Sequence, residues 1–205
     1  MSKVLTPPAL QALAVIWLIG LLLSGYAPHD RLTWLLEVMP ALIVLPFLWQ
    51  TRDRFEFTAL AYGLVTLHGL ILMLGGAYTY AHVPLGFWMQ DWFHWARNDY
   101  DKIGHFAQGF VPAIVARELL IRLFRIESRR LVAFLAVCIC LAVSAFYELV
   151  EWWSALALGQ GADEFLGTQG DPWDTQSDMF MALIGALSAL LFLSATHDRA
   201  IARKI

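Results

Sequence analysis

The chain has 205 residues, 59% of them hydrophobic and only 15% charged, with a net charge of −3 and a mean hydropathy of +0.60. An ordinary soluble domain is closer to half apolar, so this composition excludes that class and fits a multi-span membrane protein. The small net charge does not imply a nucleic-acid partner, and no GxxxxGK[ST] or GxGxxG pattern points to a nucleotide site.

Six segments are long and apolar enough to cross a hydrocarbon core of about 30 Å, which takes about 20 helical residues. The first runs from Pro8 to Tyr26. Lys3 ahead of it imitates a signal peptide, but further spans follow and no cleavage site is convincing, so a retained helix is expected. The second, Leu32 to Trp49, contains Pro40 and Pro46; neighbouring helices can satisfy the freed carbonyls, so kinks are expected rather than a break. The third, Phe57 to Tyr80, carries His68 near its middle, read as a hydrogen-bonded packing residue, and the pair Gly75-Gly76 near its end.

Next comes Pro84 to Arg97, too short and too polar to span. Trp88, Trp92 and Trp95 fall on one helical face, which predicts a short amphipathic helix in the headgroup layer. The fourth span is Ile103 to Phe124, the fifth Leu131 to Trp153, and the sixth begins at Pro172 or Gln176 and ends at Thr196. A Gly-rich segment with Asp163 and Glu164 joins the last two. Cys138 and Cys140 are two apart on one helix and point in different directions, so they read as small buried residues and not as a disulfide. No internal repeat or linker divides residues 1–205, which are read as a single integral membrane domain.

Lys and Arg gather on the cytoplasmic side of membrane proteins. With six spans, Lys3, Arg52, Arg54, Arg122, Arg125, Arg129, Arg130, Arg199, Arg203 and Lys204 fall on one side, and Arg31, Arg97 and Lys102 on the other. Both termini are therefore expected in the cytoplasm. Helix four then descends from the outer face, with Asp101 at its start and His105 about 6 Å deeper. Helix five ascends, and Glu148 lies about 27 Å along it with Glu151 one turn further. Helix six descends again, bringing Asp171, Asp174 and Asp178 to the same leaflet.

Three motifs thus share one face of the membrane. Asp101, His105 and Gln108 form a stripe on helix four; Glu148 and Glu151 share a face of helix five, as Asp174 and Asp178 do on helix six. Carboxylates crowded near hydrocarbon repel one another unless a proton or a cation offsets them. Oxygen donors with one imidazole suit Mg²⁺, Mn²⁺, Ca²⁺ or Zn²⁺. The expected metal ligands are Asp101, His105, Glu148 and Asp178, and the expected catalytic groups are His105, Glu151 and Asp174. One divalent cation there would activate water for a hydrolase or transferase acting on lipid headgroups or envelope precursors, so that a lipid-linked small molecule joins the bilayer as a partner. Two readings stand beside it: an ion- or proton-coupled transporter using the same carboxylates, and an assembly protein whose polar network only fixes helix register. Part of the cluster also has a plain structural reading. Asp171-Pro172-Trp173-Asp174 looks like an N-cap, a Pro at N1 and an acid at N3, and Asp101 looks like a cap of the fourth helix.

The stretches YDKIGHFAQGF…ARELL (Tyr100 to Leu120), YELVEWW (Tyr147 to Trp153) and GDPWDTQSDM (Gly170 to Met179) resemble the bacterial inner-membrane family typified by YjdF. That resemblance implies a multi-span protein of the inner membrane and supplies no activity. More distantly, DKIGHF, YELVEW and the paired Asp174 and Asp178 look VanZ-like; that family's Asn after the last Asp is replaced here by Ala182 or a neighbour, so antibiotic tolerance is not carried over. With both termini inside, a fluorescent protein fused after Ile205 should fluoresce in cells, and alkaline phosphatase fused after His94 should be active. The reverse pattern would invert the orientation.

Overall fold

A computed structural model describes residues 7–158, 165 and 168–204. Seven long helices are described: α1 (Pro7–Tyr26), α2 (Arg31–Thr51), α3 (Ala59–Ala77), α4 (Pro84–Phe93), α5 (Tyr100–Arg122), α6 (Arg129–Leu158) and α7 (Asp174–Ile201). There is no strand among the described residues. The protein is an all-α polytopic membrane protein. Lys3, Asp163 and Glu164 lie outside the described residues.

Local chemistry sets the ends of the helices. The Asp30 side chain accepts a hydrogen bond from the Thr33 amide at 2.7 Å and caps α2; that bond holds its carboxyl below the usual aspartate range. Thr58 caps α3 by accepting from the Ala61 amide. α2 runs unbroken through Pro40 and Pro46. α4 starts with Pro84 and ends at His94, which adopts a left-handed conformation at φ 55°. Its Trp88 and Trp92 are exposed on one face, but Trp95 lies beyond the left-handed turn at His94 and does not continue that face.

Five helices, α1, α2, α3, α6 and α7, are long and apolar enough to cross a membrane. The sixth expected span, α5, is long enough with 23 residues but carries Asp101, Lys102, Arg117, Glu118 and Arg122. Its polarity follows from its position. α5 packs against α3, α6 and α7, so its side chains meet protein where those of α1 meet lipid.

The closest approach is between α5 and α7. A Cβ on Gly109 would run into the backbone carbonyl of Ala182, and one on Gly185 into the carbonyl of Phe106. Only hydrogen fits at these two positions, and the backbones therefore meet directly. Contacts advance in the same sense along both helices, from Lys102 with Asp178 to Glu118 with His197, so the pair is parallel and α6 is the return crossing. The Cys140 thiol donates to the Gly109 carbonyl at 3.3 Å across this seam. Cys140 is buried as expected, but Cys138 is exposed: it lies on the opposite side of α6, facing out of the bundle.

At the far end of the seam a second polar network closes it. Glu118, fully buried, accepts from the Thr58 amide at 2.9 Å, the Thr58 hydroxyl at 2.7 Å, His197 Nε2 at 3.0 Å and the Arg122 guanidinium. Arg117 Nη1 donates to His197 Nδ1 at 3.1 Å, and its Nη2 donates to Asp198 at 2.6 Å. A guanidinium only donates, so Nδ1 is the acceptor and Nε2 carries the proton given to Glu118. Glu118 and Arg122 pair at i, i+4 on α5, and α7 supplies the further buried partners that make escape to water unnecessary.

The two glycines make a direct test of the seam. Gly109→Ala should destabilise the protein by about 3 kcal/mol through overpacking against backbone. Gly63→Ala, where a Cβ meets nothing within 4 Å, should gain about 0.5 kcal/mol of helix propensity. Thermal unfolding in one detergent would read both.

Candidate functional site

The parallel seam sets the ends of α5 and α7 side by side, and the long α6 returns its last turns to the same end. Asp101, Lys102 and His105 come from α5, Glu148 and Glu151 from α6, and Asp174 and Asp178 from α7. α7 starts at Asp174 and not at Pro172; Trp173 holds the N-cap position without a side-chain bond. The expected cap by Asp171 is therefore corrected. Its carboxylate instead accepts from the Trp173 amide at 2.9 Å, tightening the turn before the helix. Asp101 is likewise no cap of α5, since Asp99 holds that position; Asp101 is inside the first turn and buried.

Two cations organise half of these acids. Lys102 Nζ lies 2.7 Å from Asp178 Oδ1, 3.1 Å from Asp174 Oδ1 and 3.4 Å from Asp101 Oδ2. Arg97, in the segment between α4 and α5, reaches Asp174 at 2.6 Å, Asp99 at 2.8 Å, Asp101 at 3.4 Å and Asp171 at 3.7 Å. It also donates to the Thr168 carbonyl. Burial works against its charge, but the hydrogen bond to Asp174 and the surrounding aspartates outweigh that and push its pKa above the ordinary arginine value. The trio Asp101, Asp174 and Asp178 thus already encloses an ammonium.

The other half has no such partner. His105 Nε2 stands 3.6 Å from Asp178 Oδ2, and its Nδ1 is 3.9 Å from Glu148 Oε1 and 3.1 Å from Gln108 Oε1. One ligand atom from each of His105, Glu148 and Asp178 can be chosen so that all lie within 4.8 Å of one another. The Glu148 side chain is 6% exposed, and its buried Oε1 accepts no hydrogen bond among the described residues. Glu151 lines the same cavity as His105 and Asp178. An acid–imidazole group of this kind can bind a cation or exchange protons.

Several participants were missed from the sequence. Glu37, a single carboxylate within the second span, is buried and accepts a hydrogen bond from the Tyr147 hydroxyl at 3.0 Å. A lone acid inside a span was the signal. Arg97 entered the sequence reading only through the charge distribution that sets the orientation. Asn98 is buried and fixes the approach to α5: its side-chain amide donates to the Val83 carbonyl at 3.0 Å and its oxygen accepts from the Tyr100 amide at 3.2 Å. Gly86 is required there, since a Cβ would strike the Asn98 side chain. His68 was expected to be hydrogen-bonded, but its buried Nε2 has no hydrogen-bond partner among the described residues, and the residue lines the cavity.

A family described as "Predicted membrane protein (DUF2238)" matches residues 9–199. The chain is 54% identical over 203 residues to the inner membrane protein YjdF of Escherichia coli (strain K12), covering 99% of this chain and 97% of that one. No solved structure matches.

Lys102→Met would strip the ammonium from three carboxylates. A loss of about 3 kcal/mol is expected, recovered in part by added Mg²⁺ or Mn²⁺ as the vacated trio takes up a metal ion. Thermal unfolding with and without the salts would show it.

Proposed function

This chain belongs to the DUF2238 family of membrane proteins, and from that premise we propose that the His105 cluster is the reactive centre of a hydrolase or transferase acting on lipid headgroups or lipid-linked envelope precursors. The protein is a multi-pass protein of the bacterial inner membrane. The observation that carries the reading is Glu148 Oε1, buried without a hydrogen-bond donor among the described residues, 3.9 Å from His105 and in reach of Asp178. An orphaned carboxylate oxygen in a low-dielectric setting is costly, and a bound cation removes the cost.

In this reading His105, Glu148 and Asp178 hold one divalent cation. Bound there, the ion supplies a Lewis acid next to a phosphoryl or carbonyl oxygen and lowers the pKa of a coordinated water. Gln108 orients the His105 ring through Nδ1, leaving Nε2 toward Asp178. Asp101, first expected among the ligands, serves with Asp174 in holding Lys102 and Arg97. The ammonium and guanidinium then offset the aspartates around them, which lowers the repulsion that an anionic headgroup would meet. Glu151, on the cavity wall without a paired base, is the candidate general base.

A second reading is favoured by a different observation. The cavity wall also carries Glu37 and the unpartnered His68, with Arg54 at the other end, and polar groups along a cavity through the bundle are what an ion- or proton-coupled transporter needs. The same carboxylates would then bind the coupling ion. The third reading, register fixing alone, leaves the Glu148 orphan without a purpose.

Purified protein dialysed against Mn²⁺ or Zn²⁺ and then desalted should retain about one equivalent of metal. Glu148→Gln should lose it without loss of fold, and Asp178→Asn should lose it too, at some cost in stability from the Lys102 pair that it breaks. A wild-type protein that retains neither metal sinks the metal-dependent enzyme. Ion-driven uptake into vesicles, lost in Glu148→Gln, would decide for transport.

A further inference from the structure

We infer that the cavity below the His105 cluster holds one hydrocarbon tail of an amphiphile, whose polar head sits among His105, Glu148, Asp178 and Lys102. The inference deepens the reading above by naming the substrate class, and it takes the position of the head from that reading. The tail's place rests on the cavity itself.

The cavity has a volume of about 740 Å³, within the range of sites that enclose a ligand of several hundred daltons. It lies between α2 and α5, floored by α3. α2 packs on α3 but makes no extended packing with α5 or α6, which leaves the gap. One face of each helix lines it, and polarity along those faces is graded. On α5, Asp101, His105 and Gln108 come first, followed by Val111, Val115 and Leu119. On α2, Glu37 comes first, followed by Ala41, Val44 and Phe47, with Thr51 at its far end and Arg54 just beyond it. α6 contributes Val143 from below, with Tyr147 and Glu151 above. All three helices place their carboxylates at the same end. The grading matches an amphiphile lying parallel to the helices.

Three points select a lipid tail as the occupant. Phe47, Phe124 and Val143 line the cavity and are also exposed on the outside of the bundle, at 61%, 65% and 43%. The cavity therefore opens sideways, toward hydrocarbon. Its apolar stretch on α5, Val111 to Leu123, measures about 18 Å, close to the depth of one leaflet of a core about 30 Å thick. Charge balance fixes the head: Lys102 and Arg97 are already taken up by Asp99, Asp101, Asp171, Asp174 and Asp178, so Glu37, Glu148 and Glu151 need a cation between themselves and an anionic head. A phosphate-bearing head with a divalent ion meets that need. The tail itself comes either from an acyl lipid or from a polyprenyl carrier, which share this chemistry.

The test is photocrosslinking of the full-length protein in vesicles of phosphatidylethanolamine and phosphatidylglycerol. One arm contains a phospholipid with a diazirine midway along one acyl chain, the other a polyprenyl phosphate with a diazirine in the chain. Labelled peptides are mapped by mass spectrometry. The expected result is labelling of the wall at Val44, Val111 and Val115, beyond that of the lipid-facing Leu22 and Leu191. The arm that labels the wall more strongly identifies the source. Val111→Trp should lower wall labelling about tenfold while sparing Leu22 and Leu191, with Ala41→Phe on the facing wall as the second blocking variant. Labelling confined to Leu22 and Leu191 in wild-type protein, with either probe, overturns the inference, as does wall labelling undiminished in a folded blocking variant. Glu148→Gln should lose metal and keep wall labelling, so failure of the metal reading and failure of the tail reading are told apart.

Discussion

Everything in this molecule depends on α5 and α7 touching backbone to backbone. Gly109 and Gly185 leave no room for a side chain between the helices, and in hydrocarbon, where apolar side chains gain nothing by leaving lipid, close contact is what holds helices together. Because the two helices are parallel, one contact fixes the pairing at both ends. Lys102 meets Asp178 at the start of the seam, and Glu118 meets His197 at its end. Sliding either helix by one residue would rotate its partners by about 100° and unpair both networks. The glycines allow the approach, and the buried ions allow only one register.

The two polar networks differ in a way that separates structure from function. At the Glu118 end every charge is answered: two hydrogen bonds from Thr58, one from His197 and one from Arg122 use both carboxylate oxygens. Nothing there is open to a ligand. At the His105 end the accounts do not balance. Arg97 and Lys102 face Asp99, Asp101, Asp171, Asp174 and Asp178, while Glu37, Glu148 and Glu151 have no Lys or Arg partner among the described residues. A closed network rigidifies a bundle, whereas an open one next to a cavity has something left to bind.

Much of this was readable in the sequence, for a reason of geometry. Spacings of three and four put Asp101, His105 and Gln108 on one stripe, and the alternation of direction from helix to helix brought the three motifs to one end. Neither step needs tertiary detail. What failed needed it. Whether Asp101 accepts from a helix end or from Lys102 depends on how far α5 is rotated against α7. Whether Asp171 caps α7 depends on one turn of backbone. His197 and Glu118 are 79 positions apart, and no periodicity links them. The polarity of α5, which lowers its resemblance to a lipid-facing span, is explained only when it is seen to be surrounded by protein.

The distribution of cations within the cluster also decides where an ion would go. Two unit charges about 4 Å apart in an environment of effective dielectric 20 interact by about 4 kcal/mol. An ammonium among three carboxylates is therefore held firmly, and a metal ion would have to displace Lys102 to enter the Asp101–Asp174–Asp178 trio. Entry between His105, Glu148 and Asp178 displaces no cation. Asp178 belongs to both groups, through Oδ1 to Lys102 and through Oδ2 toward His105. It sets the ammonium and the open position side by side on one carboxylate, so that an anionic head arriving there would meet both at once.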